Sequence, residues 1–276
     1  MNVEMWNNKI NKKNVTKLQK SGVEFIGPEY GYLSCGEIGI GRLSNEKKII
    51  QIILSYLNKS KKLQNKKFLV TAGPTLEPID PIRFVSNHSS GKQGYEIAKQ
   101  LMLNGAKVIL ISGPTDLPPP PNIKIIKVKT AKEMDKAVKN NLKSDVAIFT
   151  AAVSDFSPKK ITNKKIKKEN LKNIIIKKNP DIIKNASTNK NNKPKYIIGF
   201  AIETNNHIIN AKNKLIEKNC DLIVVNKISK KNSIFGSDYN QVTMIDHNEI
   251  NELRKMTKID VAKILVNKII NNLDIK

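Results

Sequence analysis

The chain has 276 residues, room for one large domain or two smaller ones, and a formal net charge of +25. Of its 49 basic residues only Arg42, Arg83 and Arg254 are arginine, the type that base-edge reading and bidentate phosphate clamping favour, so solvated lysine faces account for the charge and nucleic-acid binding is not expected. Cys35 and Cys220 form no CxxC or Cys/His cluster, and neither an apolar signal core nor a run of ~18 apolar residues is present, which leaves a protein of a reducing cytoplasm with no membrane span.

The first 57 residues predict a helix over 8–20, a short strand VEFIG (23–27), a Gly-rich loop (28–44) and a helix over 45–57. That is too little apolar material for an independent core of ordinary size. The stretch 58–66 is polar except for Leu63 and reads as a linker. From residue 67 the pattern alternates. Strand KFLVTA (67–72), helix 95–104, strand KVILIS (107–112), a Pro-rich connection (116–122), strand 123–128 and helix 131–142 come first. Strand DVAIFTAAV (145–153) follows, and its unbroken hydrophobicity marks a central strand buried on both faces. Beyond a lysine-rich loop come strand 173–178, helix 181–187, strand YIIGFAIE (196–203), helix 208–219, strand DLIVVN (221–226), strand 241–246 and helix 257–273. This alternation predicts an α/β fold, a doubly wound, Rossmann-like and mostly parallel sheet, with ligands at the carboxyl ends of its strands.

Polar signals fall where that rule expects a site. AGPT (72–75), AAVSDF (151–156) and ETNN (203–206) each follow a predicted strand, although each also has ordinary turn composition. RFVSNHSSGKQG (83–94) places Ser89, Ser90, Gly91 and Lys92 ahead of a helix, where exposed N–H groups and the dipole favour an anion. It is not a P-loop, because Ser86 and Gln93 stand where that motif needs a glycine and a hydroxyl. The plainer reading makes Ser90 an N-cap and Gly91 and Gly94 turn residues. KKITNKKIKK (159–168) is a basic run able to close one lysine onto phosphate, and Lys214 and Lys218 share one helix face. Neither a hydrolase triad nor a metalloprotease helix is present, and a flavin- or nicotinamide-dependent reductase would need a GxGxxG turn that AGPTLEP does not supply.

TAGPTLEPIDPIRFVSNHSSGKQG (71–94) closely resembles the signature of phosphopantothenate–cysteine ligase, the C-terminal half of the bifunctional coenzyme A biosynthesis proteins of bacteria. AAVSDF, KIKK (165–168), KNPDII (178–183), GFAIETNN (199–206) and DLIVVN match that family in order. MNVEMW (1–6) and LSCGEIGIGRL (33–43) resemble the substrate-binding motif and substrate clamp of its partner activity, the flavoprotein phosphopantothenoylcysteine decarboxylase. The resemblance thus implies a decarboxylase remnant over 1–57, a linker over 58–66 and a ligase domain over 67–276. The decarboxylase's flavin-binding part and catalytic histidine are not in these residues.

The resemblance implies CTP-dependent ligation of 4′-phosphopantothenate and L-cysteine through an acyl-cytidylate, with Mg2+ on the triphosphate. In the family this is coupled to FMN-dependent decarboxylation. Asn87 would hold the acyl-cytidylate, and Lys165 would stabilise charge as it forms. Phe149, Thr150, Ala151, Asp155, Lys165, Asn179, Pro180, Asp181, Ile182, Phe200, Lys214 and Lys218 would contact CTP. Gly73, Ser89, Ser90, Gly91 and Lys92 would face phosphate, and in the remnant Cys35 would be the proton donor and Asn2 a substrate contact. The metal ligands are not assigned. A homodimer through the ligase domain is implied as well. The alternative is a non-catalytic nucleotide-binding subunit that completes a split decarboxylase/ligase.

Overall fold

A computed structural model describes residues 1–57, 60–167, 169, 173–227 and 236–273, so Lys168 of the basic run lies outside it. The chain divides into two compact units, Met1–Asn58 and Lys59–Lys276.

The smaller unit holds α1 (Val3–Asn7), α2 (Lys9–Lys20), β1 (Glu29–Tyr32), β2 (Ile38–Arg42) and α3 (Glu46–Leu57). Asn2 caps α1 by accepting from Met5 N at 2.8 Å, and Asn8 caps α2 by accepting from Ile10 N at 2.9 Å. Two expectations fail here. VEFIG is not a strand in the structure, and the Gly-rich stretch is an antiparallel hairpin rather than a loop. Its glycines lower strand propensity, yet the period-2 pattern of Tyr30/Tyr32 and Ile38/Ile40 survives. A Cβ at Gly39 would stand 2.4 Å from Val3 Cγ2, so the glycine is what lets the amino-terminal segment lie against β2.

The larger unit is a three-layer α/β structure. Its strands are β3 (Lys67–Ala72), β4 (Leu76–Pro78), β5 (Phe84–Ser86), β6 (Lys107–Ser112), β7 (Lys124–Lys127), β8 (Val146–Phe149), β9 (Phe156–Pro158), β10 (Ile176–Lys178), β11 (Tyr196–Glu203), β12 (Leu222–Lys227), β13 (Tyr239–Asn240), β14 (Val242–Asp246), β15 (Ile250–Glu252) and β16 (Met256–Thr257). Its helices are α4 (Lys92–Leu103), α5 (Ala131–Asn140), α6 (Ile182–Ser187), α7 (His207–Glu217) and α8 (Lys258–Asn272). Eight strands form the main sheet in the order β15-β14-β12-β11-β8-β3-β6-β7. The run from β12 to β7 is parallel, and β14 and β15 join it antiparallel. The chain starts at β3, winds outward through β6 and β7, and then returns to the opposite side of β3 as β8. That reversal opens a crevice between β3 and β8.

The apolar runs of β3 and β8 are buried on both faces. Ile97, Leu101, Leu265 and Ile269 of α4 and α8 cover one face. Met134, Val138, Ile182 and Leu215 of α5, α6 and α7 cover the other.

Several boundaries differ from those the sequence predicts. α4 begins at Lys92 rather than 95, and its N-cap position holds Gly91, not Ser90. β8 stops at Phe149, four residues early, although the backbone stays joined to the segment after β3: Thr150 N donates to Thr71 O at 3.2 Å and Ala152 N to Gly73 O at 2.9 Å, with Thr150 Oγ1 donating to Thr71 O at 2.6 Å beside them. Strand 173–178 shrinks to β10, which leaves the main sheet and pairs antiparallel with β9. A second small hairpin, β4–β5, was unforeseen. The polar stretch before β3 is anchored, since Leu63 is fully buried and its N–H donates to Asn104 O at 2.8 Å.

Leu63→Ala should therefore cost about 2–5 kcal/mol of the larger unit's stability in urea unfolding, the range for emptying a closed apolar site. Lys61→Ala, on an exposed side chain two residues away, should stay within about 0.5 kcal/mol of wild type. Equal effects of the two would make the segment a passive tether.

Candidate active site

Three loops leave the carboxyl ends of β3 and β8 and the segment after β10, and hydrogen bonds join them. Pro74 and Ala152 form a parallel bridge, and Thr75 N donates to Ala152 O at 3.4 Å. Ser154 N donates to Thr75 Oγ1 at 3.0 Å. Asn87 Nδ2 donates to Val153 O at 2.9 Å, and Asn179 Nδ2 to Ser154 O at 2.8 Å. AGPT, SNHSSG, AAVSDF and KNPD are thereby one framework, in which each loop supplies the partner of the next.

That framework walls a cavity of 980 Å³ at the crevice. The expected nucleotide contacts Phe149, Thr150, Ala151, Asp155, Asn179, Pro180, Asp181, Ile182, Phe200, Lys214 and Lys218 all line it. So do Asn87, Ser89, Ser90, Gly91 and Lys92. Gly73 is behind the wall and makes it possible. Gly73 and Gly91 have φ of +75° and +74°, and a Cβ on Gly91 would come within 3.4 Å of Gly73 N. The ETNN turn does not contribute. Strand residues Phe200, Ala201 and Ile202 line the cavity instead, while Glu203 holds Lys214 Nζ at 2.7 Å.

Lys165 is exposed and is not part of the wall. Its neighbour Ile166 is pinned by a buried clamp. Asp80 accepts from Ile166 N at 3.2 Å and from Arg83 Nε at 3.0 Å, while Arg83 Nη2 donates to Ile166 O at 2.8 Å. The basic loop is thus tied at Ile166 to the hairpin that carries Arg83, and again at Thr162, whose N–H donates to Ile79 O at 3.3 Å. In the smaller unit Cys35 is exposed in the turn between β1 and β2, and the Asn2 side chain is engaged as a cap.

The site cations have internal acidic partners. Lys218 Nζ donates to Asp181, which also caps α6 through Lys184 N. Burial works against the Lys218 charge, but the hydrogen bond and charge of Asp181 outweigh it and hold its pKa above the usual lysine value. Burial likewise raises Glu203, yet hydrogen bonds from Lys214 and Asn210 leave it below the usual carboxylate range. The Arg83 hydrogen bond, with backbone N–H groups of Ile82, Arg83 and Ile166, holds Asp80 well below that range against its burial. Burial pushes the Cys220 thiol up to about 12, so it is no nucleophile at neutral pH.

Polar wall residues that were not named from the sequence include Lys178, Glu217, Asn226, Asn240 and Lys258. Asn226 had a signal, a polar residue closing the apolar strand DLIVVN at its carboxyl end. Lys258 had none, because only the packing of α8 brings it here. Among the described residues no group of three or more His, Cys, Asp or Glu side chains could hold a metal ion.

Asp80→Asn tests the clamp without reference to activity. A neutral amide loses the charge that holds Arg83, so tryptic cleavage within 159–167 should accelerate about tenfold or more as local opening becomes easier. A depressed carboxylate pKa contributes stability present at neutral pH and lost as the pH falls from about 4 toward the folded value. Amide hydrogen exchange at Ile166 in wild-type protein should therefore lose protection as the pH is lowered below about 4. Unchanged cleavage in the variant at neutral pH would remove the clamp from the account.

Residues 63–273 match the family described as the DNA/pantothenate metabolism flavoprotein C-terminal domain, and residues 1–58 match the flavoprotein family. The coenzyme A biosynthesis bifunctional protein CoaBC of Borreliella burgdorferi is 45% identical over 267 residues, which cover 95% of this chain and 67% of that protein. The CoaBC protein of Haemophilus influenzae is 39% identical over 272 residues, covering 98% of this chain and 68% of that one. Among solved structures, the C-terminal domain of a CoaBC protein superposes with a TM-score of 0.67 at 39% identity, covering 79% of this chain and all of that one. The cavity at the β3/β8 crevice therefore lies in a chain that belongs to the family of bifunctional coenzyme A biosynthesis proteins.

Proposed function

We propose that the larger unit ligates 4′-phosphopantothenate to L-cysteine at the expense of CTP, through an acyl-cytidylate. The observation that carries this reading is the convergence of the expected nucleotide residues other than Lys165, together with Asn87, on one cavity wall. A carboxylate is a poor electrophile; its attack on the α-phosphorus of CTP breaks the α–β anhydride bond, expels pyrophosphate and supplies a leaving group, CMP, which the cysteine amine then displaces with loss of a proton. Catalysis of this kind is chiefly the stabilisation of charge as it shifts among phosphate and acyl oxygens. Lys214 and Lys218, oriented by Glu203 and Asp181, present fixed positive charge to the nucleotide. Asn87, held by Val153 O, offers its remaining amide hydrogen and its carbonyl to the acyl-cytidylate. Lys165, on the loop tied through Ile166, reaches the phosphates when that loop folds inward. Magnesium would be held chiefly by the triphosphate oxygens, the usual manner for an ion that binds through few carboxylates.

A homodimer through the larger unit belongs to the same reading. Ile82, Phe84, Phe156 and Ile176 on and beside the β4–β5 and β9–β10 hairpins are exposed, and β4 packs on β9. Such apolar surface beside a site favours burial against a second copy.

The reading is tested by incubating the protein with phosphopantothenate, cysteine and each nucleoside triphosphate in turn while following pyrophosphate. CTP should support release. Lys165→Gln should slow it by on the order of 10²-fold or more, the cost of removing one preorganised charge-stabilising donor. Asn87→Asp should still release pyrophosphate but lose amide product, because a second negative charge beside the anionic intermediate is unfavourable. Wild-type release in Lys165→Gln would return the basic loop to a solvated face, and normal product from Asn87→Asp would leave that residue a turn former.

The smaller unit leads to a negative expectation. Flavin supplies the electron acceptor when it is bound, but the described residues of Met1–Asn58 contain a single antiparallel strand pair and no parallel sheet of the kind that presents a flavin phosphate site. These residues do not fit FMN by themselves. The purified 276-residue chain should be colourless and release no carbon dioxide from phosphopantothenoylcysteine, which absorbance near the flavin bands and a carbon dioxide assay would check. A yellow preparation would refute this.

A further inference from the structure

Two helices begin at one end of the cavity. α4 opens with Lys92 and α8 with Lys258, and both residues line the wall. The two helix starts are fastened to each other: Gln93 Nε2 donates to Lys258 O at 3.1 Å, and Asn240 Nδ2 donates to Gln93 Oε1 at 3.2 Å. No side chain caps α4, because its N-cap position is Gly91. Two lysines and the positive ends of two helix dipoles therefore face one small volume.

The lysines are not equivalent. Lys258 is only 8% exposed, rare for a lysine, and burial followed by the nearby Lys92 charge holds its pKa below the usual value. Its Nζ donates to Ser237 O at 2.5 Å. Lys92 Nζ donates to Asp238 Oδ1 at 2.7 Å and to Gly236 O at 3.0 Å. The Asp238 carboxylate itself is 76% exposed. The cations are thus built in, and the anion that answers them is a surface side chain. A second and independent sign is Asn226 on the same wall, which is 7% exposed and whose Oδ1 has no hydrogen-bond partner among the described residues. A buried amide oxygen left without a partner is costly, and a ligand in the cavity or its hydration would satisfy it.

We infer that Lys258 and Lys92 form a seat for the polyphosphate chain of the nucleotide, and that Asp238 occupies this seat until the polyphosphate displaces it. The inference rests on the nucleotide reading of the site and adds to it a buried ligand residue and an internal competitor. Two ammonium groups and two helix starts match a chain carrying three or four negative charges better than a phosphomonoester dianion. Polyphosphate binding then exchanges one exposed carboxylate for several charged oxygens, and frees Gly236–Asp238 from Lys92.

Titration calorimetry with inorganic tripolyphosphate, with CTP and with 4′-phosphopantothenate tests this, at an ionic strength of about 0.05 M where screening is weak. Lys258→Gln should weaken tripolyphosphate and CTP by about tenfold or more, the loss of one charge-assisted hydrogen bond. Asp238→Asn should tighten both several-fold, since it removes the competitor. Phosphopantothenate affinity should stay within about twofold of wild type in both. A merely structural role for these residues predicts no gain in Asp238→Asn, and that result overturns the proposal. So does a change confined to phosphopantothenate, which would give the seat to the phosphate ester. Should Lys258→Gln not fold, Lys258→Arg keeps the charge and should keep binding, and the exposed Asp238→Asn still decides. Loss of CTP-dependent pyrophosphate release in wild type alongside this tripolyphosphate pattern would overturn the ligase reading and leave the seat standing.

Discussion

β3 pairs in parallel with β6 on one side and β8 on the other, and that double pairing determines where everything else in the larger unit can go. A strand that starts the sheet in its middle forces the chain to wind outward and then return across itself. The loops after β3 and β8 then leave in divergent directions, and the space between their carboxyl ends cannot be filled by a crossover. Past Phe149 the two segments stay joined through Thr150 N to Thr71 O, Ala152 N to Gly73 O and the Pro74–Ala152 bridge, before the AAVSDF loop turns away. Sheet topology makes the crevice.

The electrostatics of the site follow one arrangement. Lys214 pairs with Glu203, Lys218 with Asp181, Lys92 with Asp238 and Arg83 with Asp80. Long cationic side chains lose rotamer entropy when they are fixed, so a charge already held by a neighbour costs less to order at the moment a ligand arrives. The acids differ in what they can give up. Asp80 is buried and bound on several sides, and so acts as a fixed tie, whereas Asp238 is exposed and replaceable. A strongly basic cavity can thus remain folded without ligand, its self-repulsion relieved internally.

The two small hairpins outside the main sheet connect these parts. β4–β5 carries Arg83 toward the basic loop, and β9–β10 brings Asn179 and Asp181 from the far side of that loop back to the crevice. The lysine run between β9 and β10 is therefore held at its base by the hairpin strands and at Ile166 by the clamp. Among the described residues Lys159, Lys160, Lys164, Lys165 and Lys167 are exposed on this anchored loop, which suits residues that act on charge appearing only during reaction.

Much of this was fixed in the residues themselves. The alternation of apolar runs and amphipathic stretches determined the α/β class, because burial on both faces leaves a parallel strand little room for polar residues. The polar clusters AGPT and AAVSDF marked two sides of the crevice, and the nucleotide residues expected from the family signature, Lys165 excepted, came together on its wall. Other features could be decided only in three dimensions. Leu63 looks like an interruption in a linker until α4 gives it a pocket. The glycines of the β1–β2 hairpin look like loop formers until the amino-terminal segment is seen to need the space. β10 has the composition of a sheet strand, but nothing local says that its partner is β9. Lys258, far along the chain and at the start of its closing helix, becomes a cavity residue because α8 packs beside α4. Local sequence reports period and propensity, which depend on near neighbours. Which buried surface receives a side chain depends on contacts between segments more than a hundred residues apart, such as Gln93 with Lys258, and no local pattern encodes them.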